Sequence, residues 1–416
     1  MLPHTVPGTW SHAGACVETR CGCGSSAAAP IPQHSLTLLV VVRWPVGGIR
    51  TFIRYVYPNF PGSTFRFIFY LPRYQEYAAL TQELGSLGAE FVLAPADFNA
   101  RAVIPDLFRL IRGRRVDVIH AHGLTSALHT FPVARVTHTP HLTTFHDVFR
   151  EAQFRGVAGR VKRLCLDQVI RHLDAIHFIG EDARANLLQS FPRTAPRSDA
   201  DILIPNGIHT AHFLAAGTRD LHRELRAPSD CFLLGFFGRF MSQKGFAVLV
   251  DAVAHLAADR TLGKPFLVLT FEEGSFFQQE VSRIARLGLS SYFRHLAFTP
   301  DISSTLKGLD LVAVPSLWEA CPLLPMEAMV AGTPLIGSDC VGLREVLRNT
   351  PAAIIPTGNA RALADAIRRE IVTPSRAAAQ AFTHIAAERF DVRERAADLE
   401  QALMTFAHRR RGSSSS

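Results

Sequence analysis

The sequence is short of charge, of long apolar runs and of organised cysteine, and each shortage excludes something. Asp, Glu, Lys and Arg make up 19% of the 416 residues, against 48% hydrophobic. A disordered chain needs the opposite balance, so a globular protein is expected. No stretch of about 18 apolar residues lacks charges or breakers, which argues against a membrane-spanning helix. No basic start followed by an apolar segment marks a secretory signal. The seven cysteines are odd in number and scattered, which fits a reduced, cytoplasmic chain better than a disulfide framework. "CGC" at 21–23 has no second cluster at zinc spacing, so no metal is expected there. A glycine fingerprint after a strand is also missing. "GCGSSA" (22–27) fits the spacing but precedes the first strand, and this disfavours a nicotinamide dehydrogenase.

What is present points to two α/β domains. The length exceeds one ordinary core. Short apolar runs at 36–42, 65–71, 116–122, 175–180, 231–237, 266–271, 311–314 and 334–338 read as buried strands separated by helical patterns. Such runs mean parallel sheets covered on both faces. Helices are expected at 246–256, after an Asn359 cap, and from Asp391, where Ala396, Leu399, Leu403 and Phe406 share an apolar face. The polar, Pro-containing stretch 191–205 divides the set. Residues 1–34, rich in Ala, Gly, Ser and Pro, read as a disordered extension, and 409–416 as a disordered tail. The charge balance of 44 − 36 = +8 suits an anionic ligand, a nucleic acid or an acidic membrane surface. The cluster "RLIRGRR" (109–115) reads as a solvated helix end.

Chemistry is expected where strand ends face a cleft. "WEACPLLPMEAM" (318–329) follows such a strand and carries Glu319 on a loop and Glu327 in a helix that starts near Pro322. Two carboxylates in apolar surroundings suit a polyhydroxylated ligand, whose hydroxyls they accept from. Between them, the N–H groups of Leu323 and Leu324 in the first turn can hold a phosphate. "FFGRFMSQKG" (236–245) puts Arg239 and Lys244 at a helix start, where cations are unfavourable without an anion. Gly47-Gly48 follows the first strand and lets backbone approach a ligand.

The stretch 318–347 resembles the E-x7-E signature of family 4 of the retaining glycosyltransferases, whose fold is the two-domain GT-B. The likeness spans roughly 36–408 and is stronger in the second half. It implies that Glu319 contacts the transferred sugar, and that Glu327 holds the ribose of a nucleotide. Arg239 and Lys244 match the family's G-R-x4-K-G loop and would stabilise the leaving diphosphate, as a metal ion does elsewhere. Gly47 and Gly48 would face the acceptor and the donor phosphate. "HLTTFHDVF" (141–149) resembles the family's T-x-H strand end and places His146 at the cleft, facing the reacting sugar, to hydrogen-bond that sugar or help position the acceptor. "HAH" (120–122) invites a zinc reading, but no third ligand is evident, so packing or an acceptor-side role is preferred. The family's common Phe-Gly is Cys321-Pro322 here, which removes one N–H from the phosphate cradle. "FEEGSFF" (271–277) replaces a Gly-x-Gly turn near the base.

The resemblance implies an acceptor-side Rossmann-like domain at 35–195 and a nucleotide-sugar domain at 196–390. A helix at 391–408 would then cross back. The expected activity is hexosyl transfer from a nucleotide sugar to a glycan, lipid-linked or small-molecule hydroxyl acceptor, closest to bacterial polysaccharide and cell-envelope enzymes. No cofactor, metal ion or nucleic acid is expected, and a peripheral contact at the inner face of the membrane is compatible with the charge. The competing readings are a GT-B nucleotide-sugar epimerase and a non-catalytic sugar-nucleotide-binding protein.

Overall fold

The computed structural model describes residues 36–413, apart from 63, 75–76, 96–97, 195–200, 260, 272–275, 298 and 300; of 409–413 it describes the backbone only. The expected extension 1–34 lies outside the described residues. Leu36 to Ser416 form one compact unit.

Thirteen described strands make two wholly parallel sheets. The first holds β1 (Leu36–Val42), β2 (Phe65–Pro72), β3 (Glu90–Ala94), β4 (Val118–His122), β5 (His141–Phe145), β6 (Ala175–Phe178) and β7 (Ile202–Leu203), in the order β3-β2-β1-β4-β5-β6-β7. The second holds β8 (Phe232–Phe236), β9 (Phe266–Phe271), β10 (Phe293–Leu296), β11 (Leu311–Val314), β12 (Leu335–Ser338) and β13 (Ala353–Ile355), in the order β10-β9-β8-β11-β12-β13. Both sheets therefore run outward in both directions from a central pair, β1/β4 in one and β8/β11 in the other. This doubly wound order leaves a crevice above the carboxyl ends of that pair, where the crossovers diverge to opposite sides. β1 shows why the apolar run folds so. All seven of its residues are buried, with Leu36, Leu38, Val40 and Val42 packing into one cluster and Leu39 and Val41 into another across the sheet.

The chain crosses between the sheets twice, and the crossings are bonded together. Ile208 N–H donates to the Phe390 carbonyl at 2.8 Å, and Val392 N–H donates to the Ile208 carbonyl at 3.0 Å. The last helix, Val392–Ser413, begins at the second crossing and is capped by Asp391, whose Oδ1 accepts from Arg393 N–H at 2.9 Å. Its apolar face of Ala396, Leu399, Leu403 and Phe406 is buried in the same cluster as Phe52, Val56 and Tyr57 of the first half. Gly62 N–H adds a bond to Glu400. Two boundaries differ from the sequence reading. β7 joins the first sheet past the 195/196 division, and the last helix runs on to Ser413, into the expected tail.

Candidate active site

A cavity of about 1320 Å³ opens above the carboxyl ends of β1, β4, β8 and β11. All the residues expected at the site line it: Gly47, Gly48, His146, Arg239, Lys244, Glu319, Leu323, Leu324 and Glu327. The sheet order explains the convergence, because each residue follows the end of a strand at or beside a switch point.

Glu319 sits on the loop after β11 and is 5% exposed. Its Oε1 accepts from Lys244 Nζ at 2.7 Å and from Ser316 Oγ at 2.8 Å, and Gln243 Nε2 reaches Oε2 at 3.4 Å. Its own N–H donates to the Val341 carbonyl at 3.0 Å. Two glycines make this layering feasible. A Cβ on Gly245 would meet Pro315 O at 1.9 Å, and one on Gly342 would meet Glu319 O at 2.4 Å; both have positive φ. Lys244 can therefore reach Glu319 only because the helix after it presses directly on the end of β11.

The helix Leu323–Val330 starts after Pro322, with no side chain capping it. Pro322 has no N–H, and Pro325 in the first turn has none either. The donors left at this helix end are Leu323 and Leu324, so proline trims the cradle to those two. Further along, Glu327 is 8% exposed, and Tyr55 Oη, from the helix Gly48–Val56, lies 3.5 Å from its Oε1. Burial pushes the Glu327 carboxyl up to about 7, against a smaller downward pull from Arg54.

Gly47 turns with φ +56°, and a Cβ there would stand 3.2 Å from Arg239 Nη2. The guanidinium from the second half thus lies on the glycine turn of the first. The two halves also meet at Asp182, whose carboxylate takes Arg344 Nε at 2.7 Å and Nη2 at 2.8 Å. His146 follows β5, and its Nε2 is 2.8 Å from His122 Nδ1. The "HAH" imidazoles are buried and hydrogen-bonded to Tyr57, His120 at 2.9 Å and His122 at 2.6 Å. Among the described residues no group of three His, Cys, Asp or Glu could hold a metal ion.

Sequence reasoning missed Ser316, Gln243, Tyr55 and Asn206. Ser316 and Gln243 flank motif residues and could have been suspected. Tyr55 gave no signal, since only the fold brings it across to Glu327. Asn206, read as part of a turn, donates to the Cys321 carbonyl at 2.9 Å and lines the cavity with its Oδ1 buried and unpartnered. The "FEEGSFF" departure falls on 272–275, outside the described residues.

Residues 218–382 match the family model for glycosyl transferases group 1, and residues 47–207 match that of the glycosyl transferase 4-like domain. The chain is a family 4-type glycosyltransferase with the GT-B fold. This glycosyltransferase is 28% identical over 331 residues to D-inositol 3-phosphate glycosyltransferase 1 of Catenulispora acidiphila, covering 73% of this chain and 71% of that one. It is 25% identical over 294 residues to alpha-maltose-1-phosphate synthase of Mycolicibacterium smegmatis, covering 65% and 74%. In fold it is similar to HepE of Anabaena, solved with UDP-glucose, at a TM-score of 0.74 and 18% identity over 89% of this chain and all of that one. Sucrose-phosphate synthase of Thermosynechococcus elongatus gives 0.71 and 16% over 92% and 100%.

Proposed function

We propose that this glycosyltransferase moves a hexosyl group, with retention at the anomeric carbon, from a nucleoside-diphosphate sugar to a hydroxyl acceptor. One observation carries the reading. Arg239, Lys244 and the open N–H groups of Leu323 and Leu324 line the same cavity as the two buried carboxylates Glu319 and Glu327. Such a wall suits a diphosphate with a polyol at each end. When the bond from the anomeric carbon to the diphosphate oxygen breaks, negative charge grows on the leaving group. Arg239 meets it with a fork, Lys244 with a point charge, and Leu323 and Leu324 with the positive end of their helix. Glu319 accepts from hydroxyls of the transferred sugar and Glu327 from those of the ribose. Cations in a metal's place make a metal ion and a cofactor unnecessary. HepE's complex with UDP-glucose supports a uridine diphosphate donor.

The acceptor proposed is a glycan or a lipid-linked hydroxyl presented at the inner face of a membrane. No described helix is long and apolar enough to cross one. The helix Gly156–His172 instead exposes Val157, Val161 and Leu164 by 70%, 54% and 59%, at helical spacing. Arg155, Arg160, Lys162 and Arg163 lie exposed among them, and Lys162 also lines the cavity. An apolar stripe edged by cations suits an anionic lipid surface.

The test is a panel of nucleotide sugars offered with and without hydroxyl acceptors, with the product's anomeric configuration read by NMR. Acceptor-dependent release of nucleoside diphosphate and a retained configuration are expected. An isomerised sugar formed without acceptor would mean an epimerase, and binding without turnover a non-catalytic protein.

A further inference from the structure

A continuous line of short hydrogen bonds runs from the cleft through the first sheet to the first crossing between the halves. His146 Nε2 is 2.8 Å from His122 Nδ1. His122 Nε2 is 2.6 Å from Tyr57 Oη, which is 2.9 Å from His120 Nδ1. His120 Nε2 is 2.6 Å from Thr144 Oγ1, which is 2.9 Å from His177 Nδ1. His177 Nε2 is 2.9 Å from the Ile204 carbonyl. Ile204 lies just past β7, two residues before Asn206 in the cavity wall.

The far end fixes the direction of every bond. A carbonyl has no proton, so His177 Nε2 carries the hydrogen. Burial pushes His177 down to about 4 and His146 to about 3, and holds His120 and His122 well below their ordinary range. Each imidazole is therefore neutral, with one N–H and one bare nitrogen. His177 Nδ1 is bare, so the Thr144 hydroxyl donates to it and must accept from His120 Nε2–H. His120 Nδ1 is then bare, so the Tyr57 hydroxyl donates to it and accepts from His122 Nε2–H. His122 Nδ1 is bare in turn, and His146 Nε2 must bear the hydrogen. No described residue bonds the remaining nitrogen of His146, whose ring lines the cavity and is braced by Phe52 at 5.0 Å between centroids.

We infer that His122, Tyr57, His120, Thr144 and His177 are positioning residues that transmit the Ile204 carbonyl to His146 and hold it as the Nε2–H tautomer, presenting a bare Nδ1 to the cleft. His146 then acts as a hydrogen-bond acceptor through Nδ1, the ring nitrogen left without a described partner where the ring lines the cavity. The subsite beside it takes a hydroxyl, which can donate, and rejects a carboxylate or phosphate, which would set lone pair against lone pair. The donors favoured are thus neutral hexosyl nucleotides over uronyl ones. This selectivity rests on the function proposed above; the tautomer does not.

The experiment is ¹H–¹⁵N correlation spectroscopy of the histidine rings in the full chain, for the wild type, Tyr57→Phe and Thr144→Val. Each substitution removes one hydroxyl and little volume. Wild-type His146 should be a single Nε2–H tautomer. Without the Thr144 hydroxyl, His120 turns its proton toward Tyr57, and the line reverses up to His146. Without the Tyr57 hydroxyl, His122 turns its proton toward His146 with the same result. Both variants should therefore show the proton of His146 on Nδ1, a change that a packing role alone would not produce. The ratio of kcat/KM for neutral over uronyl donors should fall about tenfold in both variants, the scale of one hydrogen bond gained or lost. A wild-type His146 that is protonated or Nδ1–H, or one unmoved in both variants, overturns the relay. The wild-type spectrum decides this even if a variant fails to fold. A donor ratio unchanged while the tautomer flips overturns the selectivity. Correct tautomers with no turnover of any nucleotide sugar would instead count against the proposed function.

Discussion

Lys244 Nζ lies 2.7 Å from Glu319 Oε1. The cation expected at the leaving group and the carboxylate expected at the sugar are thus partners of each other.

Removing the cation should cost stability as well as turnover. Lys244→Ala leaves Glu319 buried with only Ser316 and Gln243. Stripping one partner from a fully buried pair costs about 3–5 kcal/mol, and the 28% exposure of the Lys244 side chain lowers the expectation to about 1–3 kcal/mol. Adding Glu319→Gln to Lys244→Ala should recover part of the loss, because the unpaired charge is gone. Urea unfolding of the single and double variants checks this. A double variant less stable than Lys244→Ala alone would show that the two residues do not act as a charge pair.

Glu327 gives an opposed pair of effects. Burial raises its folded-state carboxyl to about 7 from 4.5. Between those values the folded chain holds a proton that the unfolded chain has released, so this group makes stability fall as pH rises from about 4.5, levelling off above 7. Glu327→Gln removes that dependence. The variant should gain on the order of 3 kcal/mol relative to wild type at pH 8, and little at pH 4.5. Its affinity for the cognate nucleoside diphosphate should fall about tenfold or more, the scale of a lost charged hydrogen bond. Unfolding at the two pH values, with calorimetric titration of the nucleotide, reads both effects.

The apolar runs gave every central strand except β5, which entered only through the family likeness at 141–149, and none of the edges. β3, β7, β10 and β13, the four outer strands, were all passed over. Their burial explains it. β1 is buried at every residue, whereas in β3 only Ala94 is buried, and in β13 only Ile355. Partial burial admits charged and polar residues into an outer strand, as Glu90 in β3 and Arg294 and His295 in β10, and β7 has only two residues. The candidate site residues were legible because each follows a central strand, on the loop after it or in the helix that the loop opens. Tyr55 and the buried histidines were not, because their partners lie far away in sequence. Tyr55 and Glu327 are 272 positions apart, and "HAH" alone does not reveal that Tyr57 sits between its two rings.

The cationic helix face should bind anionic lipid. The chain is expected to co-sediment with vesicles containing phosphatidylglycerol and not with phosphatidylcholine alone, and to be released by salt. Val161→Asp together with Leu164→Asp should abolish co-sedimentation while turnover of a water-soluble acceptor persists. Equal binding to both vesicle types would remove the electrostatic basis of the proposal.

Chelation should not stop the reaction, since Arg239 and Lys244 are assigned the charge that a metal ion would bring. Turnover is expected to survive excess EDTA unchanged. Loss of transfer in EDTA, restored by a divalent ion, would take the leaving group away from these two residues.

The central claim is that one cavity binds a nucleoside diphosphate between Arg239, Lys244 and Glu327. Thermal unfolding of the wild type against a panel of nucleoside diphosphates tests it most directly. One base should stabilise the chain by about 2.7 kcal/mol at a hundred times its dissociation constant. Arg239→Ala and Glu327→Ala should each reduce that stabilisation at the same ligand concentration. A panel in which no nucleoside diphosphate raises the melting temperature, or in which both variants are stabilised as much as the wild type, would contradict the account.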